Sequence, residues 1–148
     1  LLASGVAGQP AASTAQTSLL AGAGALGASL AVRALAGRSR PLQGQGSGHF
    51  SGPGPGSIRS AFPSNHSALA FALATPFARQ HQMPWLYGVA AATALGRVQQ
   101  REHWLSDTVA GALLGFGIGS LLSMQHEAGG GGPHIRFTGQ SIQADWRF

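Results

Sequence analysis

Eight residues in the middle of the chain have types and spacings suited to gripping one phosphate group. They are Arg33, Arg40, Ser64, Asn65, His66, Arg97, His103 and Asp107. A tetrahedral dianion needs fixed positive charge around its oxygens, an imidazole to attack phosphorus and a second imidazole to protonate the leaving group. Every one of the nine basic residues is Arg. Arg keeps its charge and presents a planar fork that fits phosphate oxygens. No other grouping in the chain looks like chemistry.

Each piece also has a simpler reading. Arg33 and Arg40 are seven positions apart and share a face if a helix continues through Gly37; either alone is an ordinary charged helix end. Ser64, Asn65 and His66 sit at an expected helix start. Free N–H groups there favour anions, while Ser64 could be only a cap. His103 and Asp107 are spaced i, i+4, which puts them on one helical face. The carboxylate would then accept from Nδ1 and leave Nε2 free as a nucleophile. The pair could also be a plain helix contact or a zinc pair, and three nearby arginines would repel a dication. Arg101 reads as a surface charge. Glu102 reads as pointing elsewhere on the His103 helix. His49, His81, His126 and His134 read as loop residues, and Trp85, Tyr87 and Trp104 as core or interface aromatics, with Trp104 placed to wall a pocket.

The elements that must position these groups read as helices. The 148 residues suit one domain. Only 9% are charged and 44% are apolar, with many Ala, as expected of closely packed helices. Helices are expected over 17–36, ending at Gly37 and Pro41; over 64–78, broken by Pro76; over 84–100, with Pro84 in the first turn; and over 103–124. Residues 42–57, rich in Gly and Pro, read as a loop without helix or strand. Gly129–Gly132 with Pro133 read as a linker over 128–133 that ends a helical domain over 1–127. In 134–148, Ile142, Ala144, Trp146 and Phe148 alternate with polar residues, a strand-like or disordered tail suited to pairing with a neighbour's edge.

The net charge of +5 comes from scarce acids, four against nine basic residues. The arginines are dispersed without interleaved aromatics, which argues against nucleic acid. With no cysteine there is no disulfide framework and no thiolate metal site. Residues 1–32 and 108–124 carry no charge, and Gly111, Gly115, Gly117 and Gly119 suit close helix contact in a membrane or in a tight soluble bundle. Those small-residue faces also suit self-association. The chain starts at Leu1 rather than Met, which reads as a processed or truncated piece.

Taken in order, Arg33-x6-Arg40-Pro41, Pro63-Ser64-Asn65-His66 and Gly96-Arg97-x5-His103-x3-Asp107 resemble the three blocks of the type 2 phosphatidic acid phosphatase superfamily, which includes vanadium haloperoxidases and bacterial class A acid phosphatases. The family's blocks are Lys-x6-Arg-Pro, Pro-Ser-Gly-His and Ser-Arg-x5-His-x3-Asp. Here Arg33 replaces Lys, Asn65 replaces Gly and Gly96 replaces Ser, and the likeness covers about residues 33–115. The resemblance implies an all-α helical bundle in which His103 is the nucleophile, forming a phosphohistidine. It implies His66 as general acid and then base, Asp107 as the residue orienting His103, and Arg33, Arg40, Ser64, Asn65 and Arg97 as phosphate ligands. No metal and no cofactor are implied. The expected activity is hydrolysis of phosphate monoesters or pyrophosphates, lipid phosphates first, in the cell envelope. The site would lie on the outer side of a membrane or in the periplasm. A soluble acid phosphatase of broad specificity is the runner-up, a haloperoxidase holding vanadate a distant third, and a non-catalytic membrane or assembly module the different-class alternative.

Overall fold

The structure is a computed structural model that describes residues 11–128, 133–138 and 141–146, with side chains described through residue 128. Within them four α-helices run α1 Ala11–Ala36, α2 Asn65–Gln80, α3 Trp85–Gln99 and α4 Leu105–Glu127. Two short 3₁₀ turns, Pro41–Gln43 and Ser57–Arg59, lie in the α1–α2 connection. The all-α reading of the sequence holds. The tail adds a small antiparallel hairpin in which β1 Pro133–Thr138 pairs with β2 Ser141–Trp146 and Ile135 faces Ala144. The strand-like period of the tail thus finds its partner within the tail itself. Gly129–Gly132 and Phe148 lie outside the described residues.

Several boundaries differ from expectation. Helix α1 starts at Ala11, because Ala, Ser and Thr continue the turn without a breaker. Pro76 does not break α2, which runs through to Gln80. The residue is fully buried, so packing holds the helix across the lost N–H, and the Thr75 hydroxyl turns back to the Phe71 carbonyl at 2.6 Å. The α1–α2 connection is not featureless either, since Arg38 bridges to Phe50 across it. His81 lies in the connection just past α2, as expected, where it caps the helix and meets Thr14 Oγ1 at 2.9 Å, whereas His126 lies inside α4 and is not a loop residue. The His81–Thr14 contact links positions too distant in sequence for spacing to reveal.

The packing follows from small residues. The core is Ala21, Ala25, Ala68 and Ala72, flanked by Leu114, Ile118 and Leu122. Helix α4 lies against α2 along Gly111, Gly115 and Gly119, spaced one turn apart. A Cβ on Gly115 would meet the Ala68 carbonyl at 2.0 Å, and one on Gly111 the Ser64 carbonyl at 2.4 Å. Only glycine allows this backbone-to-backbone approach. The matching order of contacts makes α2 and α4 parallel. Ser29 bonds Asn65 and Ser18 bonds the Leu73 carbonyl, so α1 runs antiparallel to α2.

The large apolar side chains face outward instead: Leu19, Leu35 and Leu113 are each about two-thirds exposed. Small residues inside and Leu outside is the arrangement of helices in lipid, where apolar surface need not hide from water. Both α1 and α4 are long and apolar enough to cross a membrane.

Candidate active site

This topology gathers the C-termini of α1 and α3 and the N-termini of α2 and α4 at one end. The free N–H groups at the two N-termini favour an anion, and Arg33 and Arg97 in the last turns of α1 and α3 offset the negative ends of those helices. The four ends and the loops beside them carry the eight residues singled out from the sequence.

Arg33 is in the last turn of α1, almost fully buried, with Nε donating to the Pro63 carbonyl at 3.0 Å. Its guanidinium is close enough to Arg40 and Asp107 for their charges to act on it. Helix α1 stops at Ala36, so Arg40 does not share its face. The turn at Gly37, with φ +58 and no room for a Cβ beside the Gly52 carbonyl, sends the chain into the loop that brings Arg40 back. Arg40 Nη1 then pairs with Glu102.

Ser64 caps α2, its hydroxyl accepting from Ser67 N, and its own N–H donates to the Asp107 carbonyl at 2.9 Å. Asn65 takes an ordinary helical backbone with no positive φ, and its side chain accepts from Ser29 Oγ at 2.6 Å. That bond ties α1 to α2, which a glycine there could not do. His66 follows in the first turn of α2 and is exposed at the site. Partial burial holds its imidazole below the ordinary value, helped by Arg97, His103 and Arg33, while Glu102 acts in the opposite direction.

Arg97 lies in the last turn of α3. It donates to Gln100 at 2.8 Å, approaches Glu102 at 3.9 Å and keeps a buried Nε with no partner. An unpaired buried guanidinium N–H is a donor awaiting an acceptor.

His103 is 2% exposed and sits two residues before α4, not on it. Its Nδ1 lies 2.7 Å from the Ala61 carbonyl and 3.8 Å from Asp107. A carbonyl only accepts, so Nδ1 carries the hydrogen and Nε2 keeps its lone pair. The partner expected from spacing, Asp107, is therefore not the direct acceptor. The break before Trp104 removes the helical i, i+4 geometry, and the Asp107 carboxylate is engaged elsewhere. Its Oδ2 accepts from Trp104 N at 2.7 Å, capping α4, and its Oδ1 pairs with Arg38 at 2.5 Å.

Sequence reasoning missed three participants. Arg38 lies between Arg33 and Arg40, buried, also donating to Ser106 and to the Ser47 carbonyl and lying 5.1 Å from the Phe50 ring centre. The Ala61 carbonyl has no signature in sequence. Glu102, read as pointing away, lies in a turn rather than on a helix and reaches both Arg40 and Arg97. The scarcity of acids is the available signal, since four acids among nine arginines leave each carboxylate a ready partner for an arginine. Trp104 does wall this end, its Nε1 bonded to the Ser39 carbonyl at 2.9 Å, and Arg101 is exposed as expected. Among the described residues no three His, Asp or Glu side chains gather as a metal would require.

The arrangement can hold an anion with arginines and present it to an imidazole with a defined tautomer. Comparison with known proteins agrees with the motifs. The sequence pattern of the PAP2 superfamily matches residues 14–129. A curated relative, lipid A 1-phosphatase of Porphyromonas gingivalis, is 38% identical over 72 residues, which cover 45% of this chain and 16% of that protein. The chain therefore spans well under a fifth of that relative's length. No solved structure matches.

Proposed function

Because the chain belongs to the PAP2 superfamily, we propose that it is a membrane-associated phosphatase acting on lipid phosphates through a phosphohistidine. The observation that carries this reading is the His103 environment: a buried imidazole with Nδ1 tied to a backbone carbonyl, close to a second histidine, His66, on which Arg97 and Arg33 also act. The His103 Nε2 lone pair attacks phosphorus and the ester oxygen departs, taking a proton from His66. Water then attacks the phosphohistidine, giving its proton back to His66, and inorganic phosphate leaves. Arg33, Arg40 and Arg97 carry the developing oxygen charge, with the Ser64 hydroxyl and the Asn65 N–H at the α2 N-terminus as further donors. Guanidinium groups supply the charge that a metal would supply in other phosphatases.

Lipid phosphates are favoured by the setting. The site lies at the ends of the two apolar helices, where a headgroup would meet water, and we place it on the outer side of the membrane. An apolar groove of about 500 Å³ between α1, α2 and α3, lined by Leu19, Leu73, Phe77, Leu86 and Val89, reaches Thr93, one turn from Arg97. It suits an acyl chain whose phosphate is held by Arg97. The relative's name adds a glycosyl phosphate of lipid A type as a candidate headgroup.

The test is phosphate release from phosphatidic acid, lipid A and a soluble aryl phosphate, with excess chelator, for wild type and His103→Ala. Chelator-resistant release from the lipids that falls by about 10³-fold or more in the variant is expected. Release that survives the substitution in folded protein would sink the histidine mechanism.

A further inference from the structure

Residues 11–128 contain only three acids, and each meets an arginine: Glu127 meets Arg79 at the far end, Asp107 meets Arg38, and Glu102 meets both Arg40 and Arg97. Asp107 is fully buried and caps α4, so its role is met within the fold. Glu102 has no such duty. It lies in the turn before α4, its side chain is 29% exposed, and no backbone N–H among the described residues depends on it. Its contacts are instead two of the three arginines assigned to phosphate. Resting on the phosphatase reading above, we propose that Glu102 is a displaceable internal anion, held in the phosphate cradle of the free protein and exchanged for the substrate's phosphoryl group.

The chemistry of the donors supports an exchange. Carboxylate and phosphoryl oxygens compete for the same guanidinium N–H groups, and Arg40 Nη1 cannot serve both in full. The free protein leaves the buried Arg97 Nε unmatched, so Glu102 fills the cradle incompletely. A phosphoryl group has three oxygens to offer where Glu102 has two. Glu102 stands on the turn just before the buried His103, and its side chain is partly exposed, which leaves it room to move. Glu102 also favours the charged form of His66, a role that a phosphate dianion in its place would take over.

The consequence is a threshold on occupancy, because a fixed cost weakens every anion alike and leaves the order of preference to the arginines. Dislodging Glu102 sets the same cost for every ligand, whereas attraction to the arginines grows with ligand charge. A phosphomonoester dianion overcomes that cost readily. A phosphodiester, with one charge, gains less, so the diester lipids of a bilayer are kept from occupying the cradle.

The experiment measures dissociation constants of inorganic phosphate, at a pH where it is the dianion, and of dimethyl phosphate, by calorimetry on detergent-solubilised wild type, Glu102→Gln and Arg40→Ala. Thermal unfolding of each variant checks the fold. Partly exposed ion pairs are weak, so Glu102→Gln should bind both anions about two- to five-fold more tightly, by the same factor for each. Unchanged or weaker binding overturns the proposal, because Glu102 would then merely orient the arginines. A clearly larger factor for the dianion also overturns it, since that is the mark of a charge that stays in place. Phosphate binding indifferent to Arg40→Ala would instead remove the cradle reading itself, and the proposal with it.

Discussion

Along the α2–α4 seam, contact is made by close packing without charge: Gly111 and Gly115 lie on the Ser64 and Ala68 carbonyls, and Gly119 lies on the Thr75 side chain and the Ala72 carbonyl. At the end of the same helices, contact is made by charge, with Arg38 on Asp107 and with Arg40 and Arg97 on Glu102. The seam has one close fit and no alternative. It fixes the N-termini of α2 and α4 side by side, and so fixes His66 and Ser64 against Asp107 and the turn that carries His103. The charged end must let one anion in and another out, and ion pairs exchange where packed backbones cannot. Within that end the same contrast recurs. The Arg38–Asp107 pair is almost fully buried, while the Arg40–Glu102 pair is about one-third exposed. The buried pair belongs to the frame and the exposed pair to the working parts.

The strongest way to break this division is Arg38→Ala. It leaves Asp107 buried without its cation, a loss of about 3–5 kcal/mol, a large share of the stability of a domain this size. Denaturant unfolding in detergent would read it, with phosphate release falling alongside because the turn carrying His103 loses its anchor. Arg38→Lys should recover only part, since one ammonium cannot reach Asp107, Ser106 and the Ser47 carbonyl together. A change under about 1 kcal/mol for Arg38→Ala would move the pair from frame to surface decoration.

The seam is tested by two neighbouring glycines with the same substitution. Gly115→Ala drives a methyl into the Ala68 carbonyl, so the helices must part. A loss of about 1–3 kcal/mol is expected, together with activity, because separation carries His66 away from His103. Gly117 has nothing within 4 Å of a built Cβ. There Ala should stabilise by up to about 1 kcal/mol through better helix propensity, with activity intact. Equal responses at the two positions would mean that α4 does not use this face.

Those two glycines also mark how far the sequence could be read. Order and spacing, matched to the motifs of a known family, found the three blocks, and the structure brings Arg33, Arg40, His66, Arg97 and His103 to one end of the bundle. It also found helices α3 and α4 to within a few residues, since Pro84 and the Gly-rich stretch punctuate them. It could not tell Gly115 from Gly117, because that depends on the rotational phase of α4 against α2. It placed Asp107 on His103 by assuming a helix that begins two residues later. It could not supply the Ala61 carbonyl, since backbone acceptors look alike in every residue. Arg38 and Glu102 became visible only once the loop between α1 and α2 had closed, a long-range event with no local period.

The smallest expected effect separates the exchanging charges from the fixed ones by pH. His66 must carry its proton to serve the leaving group, so activity falls as pH rises through its pKa. Burial, Arg97, His103 and Arg33 all lower that pKa, so the alkaline limb of kcat/KM should lie on the acid side of the usual histidine range. Removing a neighbouring positive charge with Arg97→Gln eases protonation and moves the limb to higher pH. Removing the negative charge with Glu102→Gln does the reverse and moves it lower. Each shift should be a fraction of a pH unit, because the site is partly open to water and its charges are screened. The two variants remove opposite charges from one ion pair, so opposite movement is required. Movement in the same direction would mean that the limb belongs to another group, and that His66 is not the proton donor.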